Sequence, residues 1–313
     1  MLGKTANGLF WMYRYMERAE NTARLIETGQ RIALTRLSHS DAEWNSVLKS
    51  ADCYRTYTQT HDSVTRDQAV DWMLRNKSNP SSVLSSILSA RQNARLVRTA
   101  ITGDVWEAVN ATYMALKDVL ARKVSERDLP EVLRQITRHA ALVRGMTHGT
   151  MLRNEIYDFA RLGTFIERTD NTARILDVKY YVLLPTPGAV GSSLDNVQWE
   201  TILRSVSAPG GFRLEYGSAA GPQEIAEFLI LDRRMPRSLA FCVRKLRDNL
   251  GYLAESEEAG HATRERVISL EHELLNRNIN DIFEYGLHEF LQTVLRQVRE
   301  ISQQIEIDFR FYA

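Results

Sequence analysis

Little in this chain interrupts a helix. Its 313 residues include only 7 prolines and 16 glycines, and no proline occurs in 1–79, 81–129, 131–184 or after Pro236. The two cysteines, Cys53 and Cys242, are too few and too far apart for a disulfide scaffold. Free thiols and a cytoplasmic location are expected. No apolar run approaches ~18 residues, so no transmembrane helix is expected. The segment Met1-Leu2-Gly3-Lys4-Thr5 lacks the pattern of a signal peptide. An excess of one charge is lacking too. Lys and Arg number 40 against 39 Asp and Glu, which argues against nucleic acid or membrane as a partner of the whole surface and leaves local patches open. There is no HExxH, no zinc-type Cys/His spacing and no phosphate-binding glycine loop, so neither a metal nor a cofactor is expected.

What is present begins with arginine, 33 residues against 7 lysines. Guanidinium makes planar two-point contacts with carboxylates and keeps its charge when buried. A GC-rich codon bias accounts for such an excess equally well as ion pairing or anion recognition. The long proline-free segments show helical spacing. Leu9, Met12, Met16, Ala19, Ala23 and Ile26 recur every three or four residues, as do Ile282, Leu287, Leu291, Leu295, Val298 and Ile301. Breakers concentrate in 185–222, with Pro185, Pro187, Pro209 and Pro222 among six glycines. That stretch is expected to be mostly loop, with a short helix near Trp199. The whole reads as an all-α chain of roughly ten to twelve helices.

An internal repeat organises those helices. Residues 17–27, ERAENTARLIE, match 167–177, ERTDNTARILD, at six of eleven positions. DAEWNSVLKS (41–50) corresponds to NVQWETILRS (196–205), and VDWMLRNKSNPSS (70–82) to AEFLILDRRMPRS (226–238). The order is kept while the offset drifts from 150 to 156. The expectation is an internally duplicated helical bundle of about six helices per copy. Residues 1–150 form the first copy and 151–313 the second, packed about a pseudo-two-fold axis as homodimers pack about a true one. With no flexible linker near residue 150, the two copies should merge into one globular body.

The most polar part of the repeat lies within its first helix. On a wheel at ~100° per residue, Glu17, Asn21 and Arg24 form a row along the flank of the apolar face, and Arg18 falls on the far side. Glu167, Asn171 and Arg174 form the same row in the second copy, with Arg168 opposite. Glu17 and Arg24 stand about 10 Å apart along one helix, too far to pair well with each other. One reading is a reciprocal clamp across the axis, Glu17 with Arg174 and Glu167 with Arg24, which fixes geometry more than it adds stability. The other is a polar pocket for a carboxylate, amide or phosphate. Catalysis by these residues would require a glutamate poised as a base. A second candidate anion site is the row Arg91, Arg95 and Arg98, with Arg14 ahead of the first motif. Pro80 and Pro236, each before a serine (Ser82, Ser238), read as helix starts.

Several motifs together, GLFWMYRYMERAENTARLIE (8–27), NPSS (79–82), ARQNARLVR (90–98) with Trp106 and Asn110, and FARLGTFIERTDNTARILDVKY (159–180), resemble the alpha-E domain proteins over nearly the whole chain. The resemblance assigns the family's motif positions to Glu17, Arg18, Asn21 and Arg24, and to Glu167, Arg168, Asn171 and Arg174. One departure is Thr164, which stands where Arg14 precedes the first motif. The resemblance also implies a neighbourhood: a circularly permuted ATP-grasp ligase and a transglutaminase-like protein as partners, hence a system that makes or modifies peptide or amide bonds. An accessory or scaffold role in that system, presenting a peptide or an anionic ligand, is one expectation. An enzyme of amide-bond chemistry using the motif residues is the alternative.

Overall fold

The computed structural model describes residues 3–34, 42–183, 193–217, 221–256 and 260–312. Among them are fifteen helices and no strand. In chain order these are α1 (Gly3–Ala33), α2 (Ala42–Ser50), α3 (Tyr54–Thr58), α4 (Arg66–Leu74), α5 (Val83–Leu96), α6 (Gly103–Val119), α7 (Leu129–Thr150), α8 (Glu155–Leu183), α9 (Ser193–Ser205), α10 (Pro209–Tyr216), α11 (Pro222–Ile230), α12 (Leu239–Ser256), α13 (His261–Leu275), α14 (Ile279–Tyr285) and α15 (Leu287–Asp308). The count exceeds ten to twelve because α3 and α10, of 5 and 8 residues, are too short to show a periodic pattern, and because Gly286, at φ 110°, divides the run from Ile282 to Ile301 into α14 and α15.

The stretch 185–222 is also more helical than its breakers suggest. Pro209 and Pro222 sit at the first helical position of α10 and α11, where a missing N–H costs nothing and the fixed φ suits the turn. Trp199 is buried in α9. Pro185, Pro187, Gly188 and Gly191 lie outside the described residues. Pro80 and Pro236 do precede helices: the Ser82 hydroxyl accepts from the Ser85 N–H and the Ser238 hydroxyl from the Phe241 N–H, which satisfies first-turn donors of α5 and α12.

Helices α1 and α8 form the centre. α1 lies against six others, α8, α5, α7, α9, α2 and α4, and α8 against five, α1, α12, α15, α2 and α9. The surrounding contacts also run in parallel, α5 on α6 and α12 on α13, α6 on α7 and α13 on α15. The two central helices point the same way, since their contacts advance together from Phe10–Gly163 to Arg14–Glu167 and Glu17–Arg168. They touch most closely at Gly163, where a Cβ would run into the backbone of Phe10. Only glycine allows that approach, and it brings the polar residues one turn further along into contact.

Such a helix cannot keep one apolar face. Leu9, Phe10, Met12, Tyr13, Met16, Leu25 and Ile26 are all buried, and they span every side of the wheel. This is the pattern of a helix enclosed by others. Leu25, which at ~100° per residue shares the Arg18 side of the wheel, is only 3% exposed.

Candidate functional site

Enclosure decides where the motif side chains go. Arg168 donates to both oxygens of Glu17, from Nε at 2.8 Å and Nη2 at 3.0 Å. Arg18 does the same to Glu167, at 2.6 and 2.9 Å. Each glutamate therefore takes a two-point contact from the arginine of the other helix's ER pair, the strongest geometry this pair can adopt. The expected partners, Arg174 for Glu17 and Arg24 for Glu167, are corrected. Seven residues beyond the glutamate, Arg24 has passed the crossing and reaches the end of α9, donating to the Ser205 carbonyl at 2.7 Å and to Glu20 on its own helix. Arg174 likewise donates to the Ser50 carbonyl at the end of α2, at 3.2 Å, and to Asp170. Each of the two arginines thus caps a helix drawn from the other half of the chain, where cations suit the exposed carbonyls.

Beyond these matched contacts the two clusters diverge. Around the first motif, Arg237 donates to Glu17 at 3.2 Å, to the Asn21 Oδ1 at 3.3 Å and to Glu20 at 2.7 Å. Arg144 of α7 pairs with Glu20 and lies 3.5 Å from Glu17. Glu17 is 3% exposed and Glu20 fully buried. Around the second motif, Arg14 donates to Glu167 at 3.0 Å and to the Ser302 hydroxyl at 2.6 Å, its guanidinium 4.5 Å over Trp11. Thr164, at the position equivalent to Arg14, turns its hydroxyl back to the Ala160 carbonyl.

The residue that aligns with Arg237 is Ser81. The turns that carry them match: Ser82 N–H donates to the Asn79 carbonyl as Ser238 N–H does to Met235. Arg237 crosses from its turn to the first motif. Ser81 is too short to cross to the second. A cleft of about 440 Å³ lies there, reached from solvent and lined by Ser81, Glu167, Asp170, Asn171, Trp11 and Ser302 among others.

A predicted alpha-helical domain with a conserved ER motif, the family model called Alpha-E, matches residues 1–309. The chain belongs to the Alpha-E family. No curated protein and no solved structure matches it. The Alpha-E motif of this chain is thus two ER pairs locked across a central helix pair, with the Glu17–Arg168 contact buried and the Glu167–Arg18 contact at the wall of a cleft.

The charges explain the state of the motif acids. Burial alone would push the Glu17 carboxyl up, but Arg168, Arg237 and Arg144 outweigh it and hold it below the usual carboxylate range. Burial acts likewise on Glu167, and Arg18 and Arg14 bring it down to about 2. Arg237 is pushed down to about 10 by burial, which Glu17 and Glu20 only partly offset. Arg168 and Arg24 beside it add like charge in the same direction. Asn21 and Asn171 lie 4% and 6% exposed, and the Nδ2 of each lacks a partner.

The second candidate row does not act as one. Helix α5 ends at Leu96, so Arg98 stands beyond it and lies over Trp106 of α6. Arg91 donates to Asn110 at 2.8 Å and covers Tyr113, while Arg95 is exposed. Two of the three guanidinia serve the α5–α6 contact. Burial pushes both cysteine thiols up to about 12, which removes the thiolate a nucleophile requires. Among the described residues no group of three or more His, Cys, Asp or Glu is placed to hold a metal, and no helix is long and apolar enough to cross a membrane. Sequence reasoning missed Arg144 and Arg237. The contrast of Ser81 with Arg237 inside the aligned segments 70–82 and 226–238 was the available signal for the second.

Proposed function

We propose that this chain is a non-catalytic binding protein of an ATP-grasp peptide- or amide-ligase system, holding a small ligand or peptide end in the cleft beside the second ER motif. The observation that carries this reading is the difference between the two clusters. Two motifs with the same residues are built around the same helix crossing, yet the acids Glu167 and Asp170 of the second line a cleft while Arg237 and Arg144 close over Glu17 and Glu20 of the first, and the cleft falls in the size range of ligand sites. A general base would need a carboxyl near neutrality, whereas Glu17 and Glu167 are held far below it. Their role is to fix the crossing and so the wall of the cleft.

The same proposal reads the chain as one helical unit of ~150 residues written twice, 1–150 and 151–313, and merged about a pseudo-two-fold axis. It is supported by the matched sequences, by the reciprocal Glu17–Arg168 and Glu167–Arg18 contacts, and by α2 lying on α8 while α9 lies on α1. A cytoplasmic location and partnership with the ligase and a transglutaminase-like protein belong to the proposal through the family. Affinity purification of the tagged chain with a co-expressed ATP-grasp ligase tests it. The ligase should co-purify, and its rate on peptide or amino-acid substrates should change when the chain is added. Failure of both would overturn the accessory role.

A further inference from the structure

The sealed cluster shows what chemistry the open one accepts. Glu17 and Glu20 face four guanidinia, from Arg24, Arg144, Arg168 and Arg237. Glu167 and Asp170 face three, from Arg14, Arg18 and Arg174. The difference falls mainly on Asp170. Its counterpart Glu20 is paired with three arginines, whereas Asp170 is paired with Arg174 alone, its i+4 neighbour. Asp170 keeps a side-chain exposure of 24% and lines the cleft. A carboxylate has room for about four hydrogen bonds, so Asp170 retains acceptor capacity on that side. Asn171, also lining the cleft, is 6% exposed. Its Nδ2 is an unpartnered donor, as is that of Asn21 beneath Arg237, so it is the amide oxygen, the atom that accepts from Arg237 in Asn21, that can meet a cation. The rim adds Asp52 and Glu306 against Arg299.

We propose that the cleft binds a guanidinium or ammonium group carried by an amino acid or peptide, seated against Asp170 and Asn171 where Arg237 meets Glu20 and Asn21 in the other cluster. The proposal rests on the reading of the cleft as a ligand site and names the class of ligand. Trp11, Leu25 and Val298 on the cleft wall offer apolar surface to the ligand's carbon chain. A planar cation is favoured because the sealed cluster already holds one in the equivalent place, donating to two carboxylates and one amide.

The test uses the full chain with agmatine and arginine as probes and citrulline as the uncharged isostere. Agmatine and arginine at saturating concentration should raise Tm by about 2 °C or more, and citrulline should not. Ser81→Arg places the chain's own guanidinium in the cleft. It should leave the unliganded Tm unchanged or higher and abolish the agmatine shift. Asp170→Asn, at a half-buried position, keeps the test decisive if the first variant fails to fold. It should weaken agmatine at least tenfold in titration calorimetry. Citrulline matching arginine, an undiminished response in both variants, or stabilisation by citrate or pyrophosphate alone would overturn the inference. If the ligase co-purifies while the cations do nothing, this assignment falls and the accessory role stands. If the cations bind and the ligase does not co-purify, the accessory role falls instead.

Discussion

The two ER clusters are built from the same four motif positions and differ in what surrounds them. In the first, Arg237 and Arg144 arrive from α12's leading turn and from α7 and close the space over Glu17 and Glu20. In the second, the matching turn carries Ser81, and α15 supplies Ser302, which accepts a hydrogen bond from Arg14. The motif therefore sets the crossing of α1 and α8 in both halves, and the second layer decides whether the crossing is buried or faces a cleft. A family motif read alone points to both places equally. The asymmetry around it singles out one.

The sharpest way to break this comparison is to remove one carboxylate from each cluster. Glu17→Gln leaves Arg168 buried without its anion, removes one of the two carboxylates of Arg237, and should cost about 3–5 kcal/mol in chemical denaturation. Glu167→Gln faces Arg14 and Arg18, whose side chains are 13% and 22% exposed, so water can recover part of the loss. Its cost should be smaller, about 1–3 kcal/mol. Equal costs, or the reverse order, would show that the first cluster is not the tighter one.

Acid should act on both clusters together. The folded-state values of Glu17, Glu20 and Glu167 all lie below the ordinary glutamate value of 4.5. Depressed acids contribute stability that is fully present above the unfolded value and lost as pH falls through the folded one. For Glu167 that window runs from 4.5 down to about 2. Asp158, raised to about 6 by burial despite Arg161, has the opposite sign: its protonation favours the fold as pH falls. His148, lowered to about 4 by burial and nearby arginines, loses stability over 6.5 to 4. The latter two offset each other. Thermal melts should thus change little from pH 7 to 5 and fall steeply below 4.5. In Glu167→Gln the steep part should be shallower.

Much of this architecture is visible before any coordinates. The 17–27 and 167–177 match marks the central helix pair, and the proline turns at Pro80 and Pro236 mark the starts of α5 and α12. The pairing inside the site is not visible, for a physical reason. A helical wheel assumes one buried face, and α1 is enclosed by six helices, so Arg18 on the supposed far side meets Glu167. Arg144 and Arg237 come from 124 and 217 residues away from Glu20, a separation at which no local spacing carries information. The short helices α3 and α10 contain too few apolar positions to define a period, and Ile282 of α14 reads as one run with α15 although Gly286, at φ 110°, divides the two.

The smallest effects separate the latches of the crossing from ordinary surface pairs. Arg24 and Arg174 each combine an i−4 acid with a carbonyl at the end of a helix from the other half. Arg31 has the same i−4 arrangement with Glu27, but both side chains are more than two-fifths exposed. If the i−4 pair were all that mattered, alanine at the three positions would cost the same. The carbonyl contacts predict otherwise. Arg24→Ala and Arg174→Ala should each cost about 1–2 kcal/mol, because a buried helix end loses its donor. Arg31→Ala should cost no more than about 0.5 kcal/mol, the value of a screened surface pair. Added salt separates them further: 0.5 M NaCl should remove the Arg31 effect and leave most of the other two, since screening reaches exposed charges and spares a buried hydrogen bond.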